Sequence, residues 1–90
     1  MKDLHNIWEL AQLPNNTLKE ICFELDYFLL SENTINYNSY NKTKLCSNIV
    51  DMLFLDENVL FEGEMIQDEG DAICYLEHLV KIDAIELTNH

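Results

Sequence analysis

Seven carboxylates crowd into the sixteen residues from 56 to 71: Asp56, Glu57, Glu62, Glu64, Asp68, Glu69 and Asp71. No basic side chain lies among them, and the stretch holds both glycines of the chain, Gly63 and Gly70. Neighbouring carboxylates are the raw material of acid–base catalysis, but that chemistry also needs a pocket and a group that separates two pKa values. No histidine or lysine punctuates the run, so an enzyme is not expected. Calcium is the second chemistry to weigh. The window from Asn58 to Glu69 places Asn58, Gly63 and Glu69 where an EF-hand loop has its first ligand, its turn and its last ligand. Leu60 stands at the third position and cannot ligate, and Glu62 stands at the fifth, where a shorter side chain is usual. With the ligand set broken and no partner loop, no calcium site is expected.

Cys74 and His78 are four residues apart, a spacing that puts both on one face of a helix within reach of one zinc ion. Structural zinc takes four ligands, and Cys22, Cys46 and His5 show no paired spacing that would supply the rest. Thiolate chemistry from the same pair would need cationic neighbours, and the surroundings are acidic. No metal and no cofactor is therefore expected. Three single cysteines in apolar surroundings read as buried thiols in a reducing compartment, not as a disulfide framework.

Charge narrows the function classes further. The 90 residues carry a net −12 with no arginine. Residues 1 to 50 hold six acids and four lysines, a net of −2; residues 51 to 90 hold eleven acids and only Lys81, a net of −10. Without arginine, and with that repulsion, direct binding to nucleic acid or to an anionic membrane is not expected. A basic protein is the favoured partner. Solubility alone would be the ordinary explanation of acidic surface, but so much charge in forty residues exceeds what solubility requires. The first residues, Met1-Lys2-Asp3-Leu4-His5, carry no apolar signal region, no apolar run reaches a membrane-spanning length, and a cytoplasmic protein is expected.

The elements that must position these residues follow from periodicity. A 48% hydrophobic content is too high for a disordered acidic tail, and a single domain over residues 1–90 is expected. Leu4, Ile7, Trp8 and Ala11 predict a short first helix anchored by Trp8 and stopped by Pro14. Thr17 and Glu20 match a capping box for a second helix from Leu18 to about Ser31. Its stripe is Leu18, Ile21, Cys22, Leu25, Phe28 and Leu29, widened by Phe23, Tyr27 and Leu30, with Lys19, Glu20, Glu24 and Asp26 on the wet side. The asparagine-rich loop 32–41 carries Tyr37 and Tyr40, read as a lid on the core in preference to a contact surface. A third helix is predicted over Lys42–Leu55, with Leu45, Ile49, Met52 and Leu53 inward and Cys46 and Val50 alongside. Asparagines 15, 16 and 41 read as helix-capping sequence. Residues 58–67 predict either a short hairpin turning at Gly63 or broken helical turns. Asp71 is the expected N-cap of a last helix whose stripe is Ile73, Leu76, Val80, Ala84 and Leu87. The expected fold is all-α, a compact bundle of about four helices, with α+β as the alternative if residues 58–67 pair as strands.

In size, charge and the carboxylates clustered from Asp51 to Glu86, the chain resembles the small, acidic, largely helical immunity proteins of colicins and contact-dependent inhibition systems. The resemblance implies a cytoplasmic inhibitor that neutralises a nuclease toxin. Two alternatives stay open: a phage-type nucleic-acid mimic that blocks a restriction or CRISPR machine, and a non-inhibitory adaptor docking a basic protein. Apolar side chains within the stretch, Val59, Leu60, Phe61, Met65 and Ile66, are candidate desolvated anchors for the partner. Reversing the charge at Glu62, Glu64, Asp68, Glu69 and Asp71 is expected to weaken binding and to leave the thermal transition unchanged or raised.

Overall fold

Asn6 is extended, and its side-chain oxygen accepts the Glu9 N–H at 3.0 Å, which starts α1, Ile7–Ala11. The computed structural model describes residues 4–30, 36–55, 60–61, 64–66 and 68–87. Pro14 bounds α1 as its sequence position requires, but the next helix starts directly after it. This second helix, α2, is Asn15–Leu25, and the Pro14 carbonyl accepts from Leu18 N–H at 3.1 Å. The proline φ of −59° already suits a helix edge, and its missing N–H costs nothing there. Thr17 is therefore buried inside the first turn and does not serve as the boundary cap.

At Asp26 the winding widens into a π-helical turn, Asp26–Leu30. Leu18, Ile21, Cys22 and Leu25 are fully buried, but Phe23, Tyr27 and Phe28 are exposed, so the helix has one inner face and is not apolar-buried all round. Asp26, expected on the wet side, is only 3% exposed. It lies four residues after Cys22, a spacing that returns it to the inner face. There its Oδ2 accepts the Tyr37 hydroxyl at 2.6 Å, while Oδ1 has no hydrogen-bond partner.

Tyr37 comes from a 3₁₀ turn, Tyr37–Ser39, and is buried. Tyr40 packs edge-on against it with ring centroids 5.1 Å apart, and the Lys44 ammonium lies 4.2 Å from the Tyr40 centroid. The two tyrosines do close the core. Asn41 then caps α3, Lys42–Leu55, by accepting the Lys44 N–H at 2.8 Å. Leu45, Cys46, Ile49, Val50, Met52 and Leu53 are all buried, the inner face that their spacing predicted.

A two-stranded antiparallel hairpin follows, β1 (Leu60–Phe61) and β2 (Glu64–Met65), in register Leu60 with Met65 and Phe61 with Glu64. It leaves the architecture all-α, since among the described residues four α-helices make the core. The last, α4, is Glu69–Lys81. Its N-cap is Asp68, not Asp71: Asp68 is extended and its Oδ1 accepts the Asp71 N–H at 2.8 Å. α4 buries Ala72, Ile73, Tyr75, Leu76 and Leu79. It ends earlier than the predicted stripe, so Ala84 is exposed beyond it. Asp83 takes a left-handed φ of 59°, its N–H donates to the Val80 carbonyl at 3.2 Å, and the Ala84 N–H donates to the Leu79 carbonyl at 2.9 Å. This paired bonding is a Schellman reversal, and it turns Ile85 and Leu87 back into the core.

Candidate docking surface

Three of the seven expected interface acids sit together at the start of α4. Asp68, Glu69 and Asp71 are all exposed within its first turn. Glu64 belongs to β2, and Asp56, Glu57 and Glu62 lie outside the described residues. The three clustered acids also stabilise the helix they start. Carboxylates beside the partial positive charge of a helix N-terminus each contribute about 0.3–1 kcal/mol, and the Asp68 cap adds about 1 kcal/mol. Charge reversal there removes these contributions, which offsets part of the relief of self-repulsion that it brings. Ile66, a candidate anchor, is half-buried and packs against the core. Val59 is outside the described residues.

The apolar element of the surface comes from elsewhere in the chain. Trp8, expected as the anchor of the first helix, is 77% exposed. Leu10 is fully buried in its place, with Leu4 entering from the segment before α1. Residues 8 and 10 lie about 200° apart around a helix, so only one of them can face inward. That opposition was the signal available in the sequence.

Trp8 borders a groove of about 500 Å³ between α1 and α3. Ile7, Trp8 and Ala11 line it from α1. From α3 come two rows at helical spacing, Lys42-Cys46-Val50 and Thr43-Ser47-Asp51, and Glu69 reaches it from α4. Cys46 and Val50 are buried and form the floor, while Thr43, Ser47 and Asp51 are exposed. The groove is therefore apolar at its base with Asp51 and Glu69 as carboxylates on its border and, among the described residues, Lys42 as the single cation. Among the acids expected from sequence, Glu69 is the one that belongs to both the acidic turn and the groove.

The thiol in the groove is a weak nucleophile. Burial raises the Cys46 thiol above its ordinary pKa, partly opposed by the nearby Lys42 charge, which keeps it the protonated, weakly nucleophilic form. Cys22 is raised to about 11, chiefly by burial, and its sulfur is held by the Asn48 amide at 3.5 Å. Cys74 is half-buried, and the His78 ring stacks on Tyr75 at 6.4 Å. Among the described residues no group of three or more His, Cys, Asp or Glu side chains is placed to share a metal ion. Among the same residues no helix is long and apolar enough to cross a membrane.

Comparison with known proteins places no relative beside this chain: no family model, curated protein or solved structure matches it.

Proposed function

We propose that this protein is a small acidic inhibitor that docks on a basic, nucleic-acid-acting protein and neutralises it, as the immunity protein of a nuclease toxin does. The observation that carries the reading is an exposed tryptophan over an apolar floor, bordered by Asp51 and Glu69, on a chain with net charge −12 and no arginine. Carboxylates of this density steer a basic partner toward the surface. A desolvated aromatic anchor then supplies the short-range energy that charge in water does not. The same observation favours an inhibitor dedicated to one partner over a nucleic-acid mimic, since it mixes apolar and acidic side chains at one place, whereas a mimic spreads its charge along the molecule. Proteins that process nucleic acid carry the Lys and Arg grooves such a surface complements.

The test is co-expression with any toxin that a neighbouring gene encodes. Rescue of growth from one toxin and not from unrelated toxins is the expected result, together with a complex that survives gel filtration. Failure to rescue from every neighbouring toxin, with no complex formed, overturns the immunity reading. A partner that binds but keeps its full activity would make the protein an adaptor.

A further inference from the structure

We propose that the groove between α1 and α3 seats an amphipathic helical segment of the basic partner. The apolar face of that segment lies against Trp8, Ala11 and Val50, and its lysines or arginines pair with Asp51 and Glu69. The inference deepens the docking reading and rests on it. It adds a location, a partner chemistry and a polarity.

The dimensions come from α3. Lys42 begins one lining row and Asp51 ends the other, and nine residues of helix rise about 13 Å. That length matches two to three turns of a docked helix, the groove-binding mode that reads anchors at helical spacing. Charge then selects the occupant. A second copy of this chain would bring another −12 to the same place, and nucleic acid is repelled for the same reason. A basic segment gains two carboxylates at the border, and the exposed indole face accepts the stem or the guanidinium of an arginine. Lys42 marks the one end of the α3 rows that disfavours a cation, so the basic end of the segment lies toward Asp51.

Trp8 is the sole tryptophan and, being solvent-facing, reports on occupancy directly. The probe is a tryptophan-free, fluorescein-labelled helical peptide of leucine and lysine, about twelve residues long. A scrambled peptide of identical composition and a leucine–glutamate version serve as controls. The expected result is a saturable blue shift of Trp8 emission with the leucine–lysine helix alone. By anisotropy, Trp8→Ala weakens binding at least tenfold (about 1.4 kcal/mol). Asp51→Asn with Glu69→Gln weakens it about tenfold at low salt, an effect that shrinks as salt rises. Ile82→Ala, at an exposed apolar residue outside the groove lining, leaves binding unchanged. Circular dichroism melting confirms that each variant is folded.

Equal binding of the scrambled peptide would show charge attraction without a seat, and would overturn the proposal. So would a blue shift that grows with protein concentration alone, which would mean self-association, or a Trp8→Ala variant that binds as tightly as the parent. The two readings fail separately. Toxin rescue that survives Trp8→Ala and the Asp51/Glu69 neutralisation leaves the immunity reading standing and removes the groove from it. Specific peptide docking without rescue from any toxin leaves the groove and removes the immunity role.

Discussion

Glu77, 8% exposed, accepts the Leu4 backbone N–H through Oε2 and meets the Lys81 ammonium through Oε1, each at 2.7 Å. One carboxylate thus ties the segment ahead of α1 to α4 across 73 residues of sequence. The lysine is mostly in solvent and its pairing contributes little, whereas the Leu4 N–H is buried and would lose its acceptor. Glu77→Ala is expected to lower the unfolding free energy by about 1–3 kcal/mol, and Glu77→Gln, which still accepts from Leu4, by less. Urea denaturation measures both, and faster hydrogen exchange at the Leu4 amide assigns the loss to that bond. Two other buried groups, beside the Cys46 thiol that burial also raises, bear on the behaviour at high pH. Burial raises the Cys22 thiol from 9.0 to about 11, and burial together with the Asp26 hydrogen bond pushes the Tyr37 hydroxyl up as well. In each case the unfolded chain releases its proton first, so stability falls as pH rises through the unfolded value, 9.0 for the thiol and 10.0 for the hydroxyl, and levels off once the folded value is passed. Each group contributes a slope of at most about 1.4 kcal/mol per pH unit. Removing the thiol with Cys22→Ala should flatten the decline between pH 9 and 11, read as urea midpoints across that range.

At the scale of elements, the two ends of α4 make opposite predictions. Asp68 satisfies a free N–H at the start, so Asp68→Ala is expected to cost about 1 kcal/mol. Asp83 holds a left-handed conformation at the end, one that glycine adopts without a Cβ penalty. Asp83→Gly is expected to stabilise by about 0.5–1 kcal/mol, the gain being trimmed by the greater freedom of glycine in the unfolded chain. Thermal melts of the two variants should move in opposite directions. How far these elements can be read from sequence depends on how much of their surroundings is local. α3 is legible to the residue, because Asn41 caps it and its whole apolar stripe faces one core. α1 is not, because a five-residue helix leaves the choice between Trp8 and Leu10 to its neighbours. The widened turn at Asp26 has no signature in the apolar spacing, and the hydroxyl that meets its carboxylate comes from Tyr37, eleven residues away.

Across the whole molecule, the net charge of −12 opposes the compact state through self-repulsion. Raising ionic strength shortens the Debye length from about 30 Å at 0.01 M to about 3 Å at 1 M and should raise the melting temperature. A gain of 1 kcal/mol corresponds to about 4–8 °C for a domain of this size. The same salt should slow association with a basic partner and leave the Trp8 contribution to its dissociation rate largely intact. A melting temperature indifferent to salt would mean that the carboxylates are already neutralised in pairs, contrary to their exposure at Asp51, Asp68, Glu69 and Asp71.

The all-α class, the span of α3, the thiol character of the cysteines and the acidic second half are properties of the sequence by itself. Each depends on composition, or on a period that every turn of a helix repeats. The run from 56 to 71 was legible as charge, but not as a division of labour. Tertiary structure assigns Asp68 to a helix cap, Ile66 to the core and Glu69 to the border of a groove. It alone brings Trp8 beside Val50 and Asp51, residues more than forty positions apart. Only packing decides which of two apolar side chains on opposite faces of a short helix is buried, because the enclosing surface belongs to other helices.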